Sequence, residues 1–84
     1  MEYQFQFTPF FEKQLRKFKQ KDAVLFERLT KKLKEIVQDP EHYKPLKNVL
    51  AGCRAAHLDP FVIVFEVKGD TIIIHYVKHH DDAY

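Results

Sequence analysis

The sequence predicts an α+β fold of order β-α-α-β-β-β, an antiparallel-rich sheet with a helical hairpin on one face. Three observations predict it. Tyr3, Phe5 and Phe7 alternate with polar residues, the period of a strand with one buried face. Two stretches of helical periodicity fill residues 9–38. Two β-rich runs, Phe61 to Val67 and Thr71 to Val77, flank Lys68-Gly69-Asp70, the pattern of a hairpin. Strands late and helices together give segregated layers rather than a parallel βαβ sheet.

After the first strand, Thr8-Pro9 offers an N-cap and a proline at the first helical position, and Phe11, Leu15 and Phe18 recur at helical spacing. Asp22 caps a second helix whose apolar stripe is Leu25, Phe26, Leu29, Leu33, Ile36 and Val37. Asp39-Pro40 stops it, because a residue before proline is pushed out of the α region. Glu41 to Asn48 reads as a loop. Beyond Gly52, Cys53 to Leu58 is a third strand candidate and Asp59-Pro60 a turn. The whole chain, residues 1–84, is expected to form one domain with a lean core.

Both faces of the Phe61 to Val67 run are largely apolar, more than one helical hairpin can cover. A partner strand or helix on the second face is the first explanation. Folding back of the Glu41 to Asn48 loop and the C-terminal tail is the other.

Composition limits the function classes. Cys53 is alone, which excludes an internal disulfide and a cysteine-based zinc site and fits a reducing compartment, the cytoplasm. No apolar run approaches a membrane span, so no membrane partner is expected. The net charge of +2 is small for a general nucleic-acid binder. Lysines and arginines crowd residues 13–34, where a solvated helix face accounts for them.

The candidate chemistry lies in the sheet half. His57, His75, His79 and His80 fall there, with Lys78 and the ending Asp81-Asp82-Ala83-Tyr84. Histidine gives and takes protons near neutrality. Transesterification of RNA needs a base for the 2′-hydroxyl, cations for the phosphorane and an acid for the leaving oxygen, and these residue types fill those roles without metal. The adjacent His79, His80, Asp81 and Asp82 have poor spacing for a metal site, so no metal or other cofactor is expected.

The stretch Gly52-Cys53-Arg54-Ala55-Ala56-His57-Leu58-Asp59-Pro60, followed by Phe61-Val62-Ile63-Val64-Phe65, resembles the YafQ-type region of the RelE/ParE toxin superfamily. Pro45-Leu46-Lys47, Gly69 to Ile74 and the ending His80 to Tyr84 resemble further elements of that branch, so the match covers about Lys44 to Tyr84. The resemblance implies a RelE-like, microbial-RNase-like fold. It also implies a cytoplasmic toxin of a type II toxin–antitoxin system, working as a ribosome-dependent endoribonuclease on messenger RNA in the A site. Its expected partners are a cognate protein antitoxin, in a toxin–antitoxin hetero-oligomer, and the ribosome with its message.

Carried over by position, His80 falls on the catalytic C-terminal histidine, Tyr84 on the C-terminal aromatic, and His57 on a strand histidine implicated in activity. Arg54, Lys47 and Lys78 would hold phosphate, Lys44 lies where a further active-site histidine stands, and His79 joins the substrate-binding set. The sequence departs from the pattern at Ala55, where an acidic residue is usual, and at Val62, where the RelE branch has an arginine. A ParE-like gyrase inhibitor and a catalytically degenerate antitoxin-binding member are the alternatives.

Overall fold

The computed structural model describes residues 2–81. Strand β1 (Gln4–Phe7) leads into helix α1 (Pro9–Lys21) and helix α2 (Ala23–Gln38). A short strand β2 (Lys44–Pro45) sits between two single 3-10 turns, Pro40–His42 and Asn48–Leu50. Strands β3 (Cys53–Leu58), β4 (Phe61–Lys68) and β5 (Thr71–His79) complete a sheet of order β1-β5-β4-β3-β2. All pairs are antiparallel except β1 with β5.

The caps lie where the sequence places them. Thr8 Oγ1 accepts from the Phe11 amide at 3.1 Å and donates to the His75 carbonyl at 2.8 Å, tying the helix start to β5. Asp22 ends α1, its amide donating to the Phe18 carbonyl, and begins α2 by accepting from the Leu25 amide at 3.1 Å. One residue thus makes the hairpin. Gly69 takes φ +60° in the β4–β5 turn, a conformation that side chains disfavour.

Phe11, Leu25, Leu29, Leu33 and Ile36 from the helices pack on Ala56, Leu58, Ile63, Phe65, Ile72, Ile74 and Val77 from the sheet. Each fully buried side chain of this kind contributes about 1.5–3 kcal/mol. The basic residues of the hairpin point outward, with only Lys32 half-buried beside Glu35.

Three expectations are corrected. The 41–48 loop contains β2, because Lys44 and Pro45 pair with Ala55 and Arg54. The last strand runs to His79 rather than Val77, since Lys78 and His79 pair with Val62 and Phe61. Finally, the second apolar face of β4 is not a bare patch. Ala55, Val62 and Val64 are buried there in a small second cluster that includes Leu46, Cys53 and Tyr76. The loop does fold back, bringing Leu46 onto the face; the C-terminal tail invoked with it lies largely outside the described residues.

Candidate functional site

Residues directly opposite in neighbouring strands share a face of the sheet. His57, Val62 and Lys78 form one such row across β3, β4 and β5, on the face away from the helices. Ala55, Val64 and Tyr76 form the next row, and Lys44 of β2 stands opposite Ala55. His57 reaches this face because Ala56 and Leu58 on either side of it are buried, as the strand's alternation requires. The buried Val62 and Val64 make an apolar floor, with Lys44, His57 and Lys78 around it.

His80 joins them from the end of β5. Its amide donates to the Pro60 carbonyl at 2.7 Å, anchoring the backbone to the β3–β4 turn, and its ring centroid is 6.2 Å from that of His57. The Arg28 guanidinium donates to the Asp59 carbonyl at 2.8 Å and holds the same turn to α2. Two exposed imidazoles and two ammonium groups on one face provide acid/base pairs and counter-charge for a phosphodiester.

The other sequence candidates lie apart from this group. Arg54 is opposite Phe65, on the helix side, where its Nη1 donates to the Glu41 and Tyr43 carbonyls at 3.1 and 2.7 Å. Those bonds fasten the segment that carries Lys44. His79 also faces the helix side, its ring edge-on to Phe61 at 5.5 Å, and its Nδ1 accepts from the Asp81 amide at 3.2 Å. Lys47 is exposed, beyond Leu46 and next to the second 3-10 turn. Tyr84 lies outside the described residues. Among the described residues no three His, Cys, Asp or Glu side chains gather in a way that could hold a metal ion.

Two features of this face were missed in the sequence. Tyr76 lies beside Lys78 on it, and His75 Nε2 donates to the Glu66 carboxylate at 2.7 Å farther along the sheet. Both follow from a bulge: Val64 is opposite Tyr76 but Phe65 is opposite Ile74, so His75 is an extra residue in β5. A bulge resets the alternation. Counting by twos from Ile72 and Ile74 would put Tyr76 and Lys78 into the core. Cys53 lies opposite Glu66; burial and then the Glu66 charge push its thiol above the ordinary value.

The sequence model of the family described as the ParE toxin of type II toxin–antitoxin systems matches residues 5–84. The chain belongs to this family. It is 35% identical to the RelE4 protein of Methanocaldococcus jannaschii, which carries a toxin's name, over 98% of this chain and 90% of that protein. A chain of the toxin–antitoxin complex RelBE2 of Mycobacterium tuberculosis superposes with a TM-score of 0.80 at 20% identity, covering 94% of this chain and 99% of that one. YafQ of E. coli superposes at 0.71 with 15% identity, covering 99% of each. At those identities the two structures share the fold. The RelE/ParE toxin fold expected from the C-terminal half is therefore the fold of the chain, and no helix in the described residues is long and apolar enough to cross a membrane.

Proposed function

We propose that this toxin is a ribosome-dependent endoribonuclease that cleaves messenger RNA in the A site and is held in check by a protein antitoxin. The observation that carries the reading is the approach of His80 to His57, 6.2 Å between ring centroids, on the face that also presents Lys44 and Lys78. One imidazole takes the proton of the attacking 2′-hydroxyl and the other delivers one to the leaving 5′-oxygen. The lysines face the charge that grows on the phosphorane. No step requires a metal.

Arg54 acts through the backbone in this scheme, by fixing the strand of Lys44, and Lys47 meets the message farther from the scissile bond. His79 supports the β5 end beside Phe61. Tyr84 stacks on a base of the codon, as aromatic side chains do on single-stranded RNA. The antitoxin partnership is supported by the family and by the neighbour solved as a toxin–antitoxin complex. The toxin–antitoxin hetero-oligomer is the restrained form, and the chain released from it acts in the cytoplasm, where ribosomes and message meet.

The test is primer extension on a translated message, comparing the wild type with His80→Ala and Tyr84→Ala, with and without ribosomes. Codon-phased cuts that need ribosomes and vanish in His80→Ala support the reading. Absence of cuts with the wild type overturns it.

A second reading is favoured by one observation: the matching family model is that of ParE toxins. Inhibition of DNA gyrase would leave the two histidines without a catalytic task. A supercoiling assay separates the two, since His57→Ala and His80→Ala would then retain toxicity. Val62 and Ala55, where charged residues are usual in the resemblance, favour a chain that binds antitoxin but has lost cleavage; the same primer extension decides that case.

A further inference from the structure

We propose that the hollow between the start of α1 and the end of β5 receives a base of single-stranded RNA, stacked against Phe10 and Tyr76. This inference rests on the reading of the neighbouring histidine face as an RNA site. The hollow, about 300 Å³, is lined by Phe10, Gln14, Tyr76, Val77 and Lys78. Phe10 is 60% exposed, a large aromatic ring left in water at the first turn of a helix. The Gln14 carboxamide is already engaged with the Val77 backbone at both ends. The exposed surface of the hollow is therefore the Phe10 ring, with Tyr76 in its wall and the Lys78 ammonium group at its edge.

Lys78 belongs both to this hollow and to the row with Val62 and His57, so the two sites are continuous. Lys78 and His57 are two strand spacings apart, about 10 Å, a span of about three nucleotides at stacked rise. Two further hollows share Phe10 and continue along α1, and their rims carry Lys13, Arg16 and Lys17 against Glu12. That charge suits a polyanion. Base stacking on exposed aromatic side chains beside a cationic track is how single strands are held without reading their sequence. An acidic protein segment would also meet the lysines, but it gives no reason for the track to end at the acid/base face.

The test uses the full-length chain and a short 2′-O-methyl RNA carrying 2-aminopurine, which binds without being cut. Wild type should quench the 2-aminopurine on binding. Phe10→Ala should weaken binding at least about fivefold and abolish the quenching, with no change in melting temperature because the ring is mostly in water. Tyr76→Leu should also weaken binding and reduce the quenching, and Lys44→Ala should weaken binding while keeping the quenching. If Phe10→Ala binds and quenches like wild type while Lys44→Ala binds more weakly, the stacking site is wrong and the histidine face stands. If Phe10→Ala leaves RNA binding intact but loses the co-purifying antitoxin, the hollow belongs to protein and the inference falls. If the wild type does not bind the RNA, the stacking site falls, while ribosome-dependent cleavage stands or falls separately by the primer extension.

Discussion

The side chain of Gln14 does the work of a missing strand for Val77. Its Nε2 donates to the Val77 carbonyl at 2.8 Å and its Oε1 accepts from the Val77 amide at 2.8 Å. Strand β1 pairs with β5 only as far as Ile74, so the next part of the β5 edge would otherwise lie open to pairing with another chain. Gln14→Leu keeps the shape and removes both bonds. We expect a loss of about 1–3 kcal/mol, read as a lower urea midpoint, with greater self-association at high concentration. An unchanged midpoint would mean that water replaces the amide without cost.

Thr8 has two tasks, capping α1 and holding the His75 carbonyl. Thr8→Ala should cost about 1 kcal/mol for the cap and somewhat more for the second bond, whereas Thr8→Ser should recover most of it. Asp22→Ala removes only the α2 cap, so its loss should be the smaller one. Chemical denaturation of the three variants settles the order.

Leu46 lies over the second cluster formed by Ala55, Val62 and Val64. It is half-buried, so Leu46→Ala should cost less than a fully buried leucine, about 1–2 kcal/mol. The exposed valines should then bind the dye ANS. Were another protein the true cover of this face, truncating Leu46 would leave the stability of the isolated chain unchanged.

The elements were legible because each carries a local signal: Thr8 and Asp22 as caps, Pro40 as a stop, Gly69 as a turn. His57 was legible too, because β3 keeps strict alternation. Tyr76 was not, since the extra residue at His75 arises from register between β4 and β5 and leaves no mark on the local pattern. Arg54 illustrates a different limit. The resemblance implied that it holds phosphate, but the strand directs it to the face opposite His57, onto two carbonyls of the preceding turn. Strand β2 escaped notice because two paired residues are too few to show a period.

Burial, and after it the negative charge of Glu66, hold the Cys53 thiol above its ordinary value of 9.0. Iodoacetamide should therefore react more slowly with the folded chain than with the urea-unfolded chain at pH 8, because the thiolate is the nucleophile. Glu66→Gln should raise the folded rate only in part, burial being the larger cause. The raised value also fixes a sign. Above pH 9 the unfolded chain releases this proton before the folded one does, so this group lowers stability as pH rises through that region and contributes nothing below it. Equal alkylation rates in both states would count against the assignment.

His57 and His80 should fail as a pair. If one takes a proton while the other gives one, each single alanine variant loses the positioned group that the other depends on, and about 10²- to 10⁴-fold of the cleavage rate should go with either. The double variant should then fall little further than the worse single one, the behaviour of residues that act as a unit. Single-turnover cleavage on programmed ribosomes measures all three rates. Because both imidazoles are exposed and only the His80 backbone is held, by Pro60, neither substitution should lower the melting temperature. Losses that multiply instead would place the two histidines in separate roles, with the 6.2 Å between their rings no more than proximity.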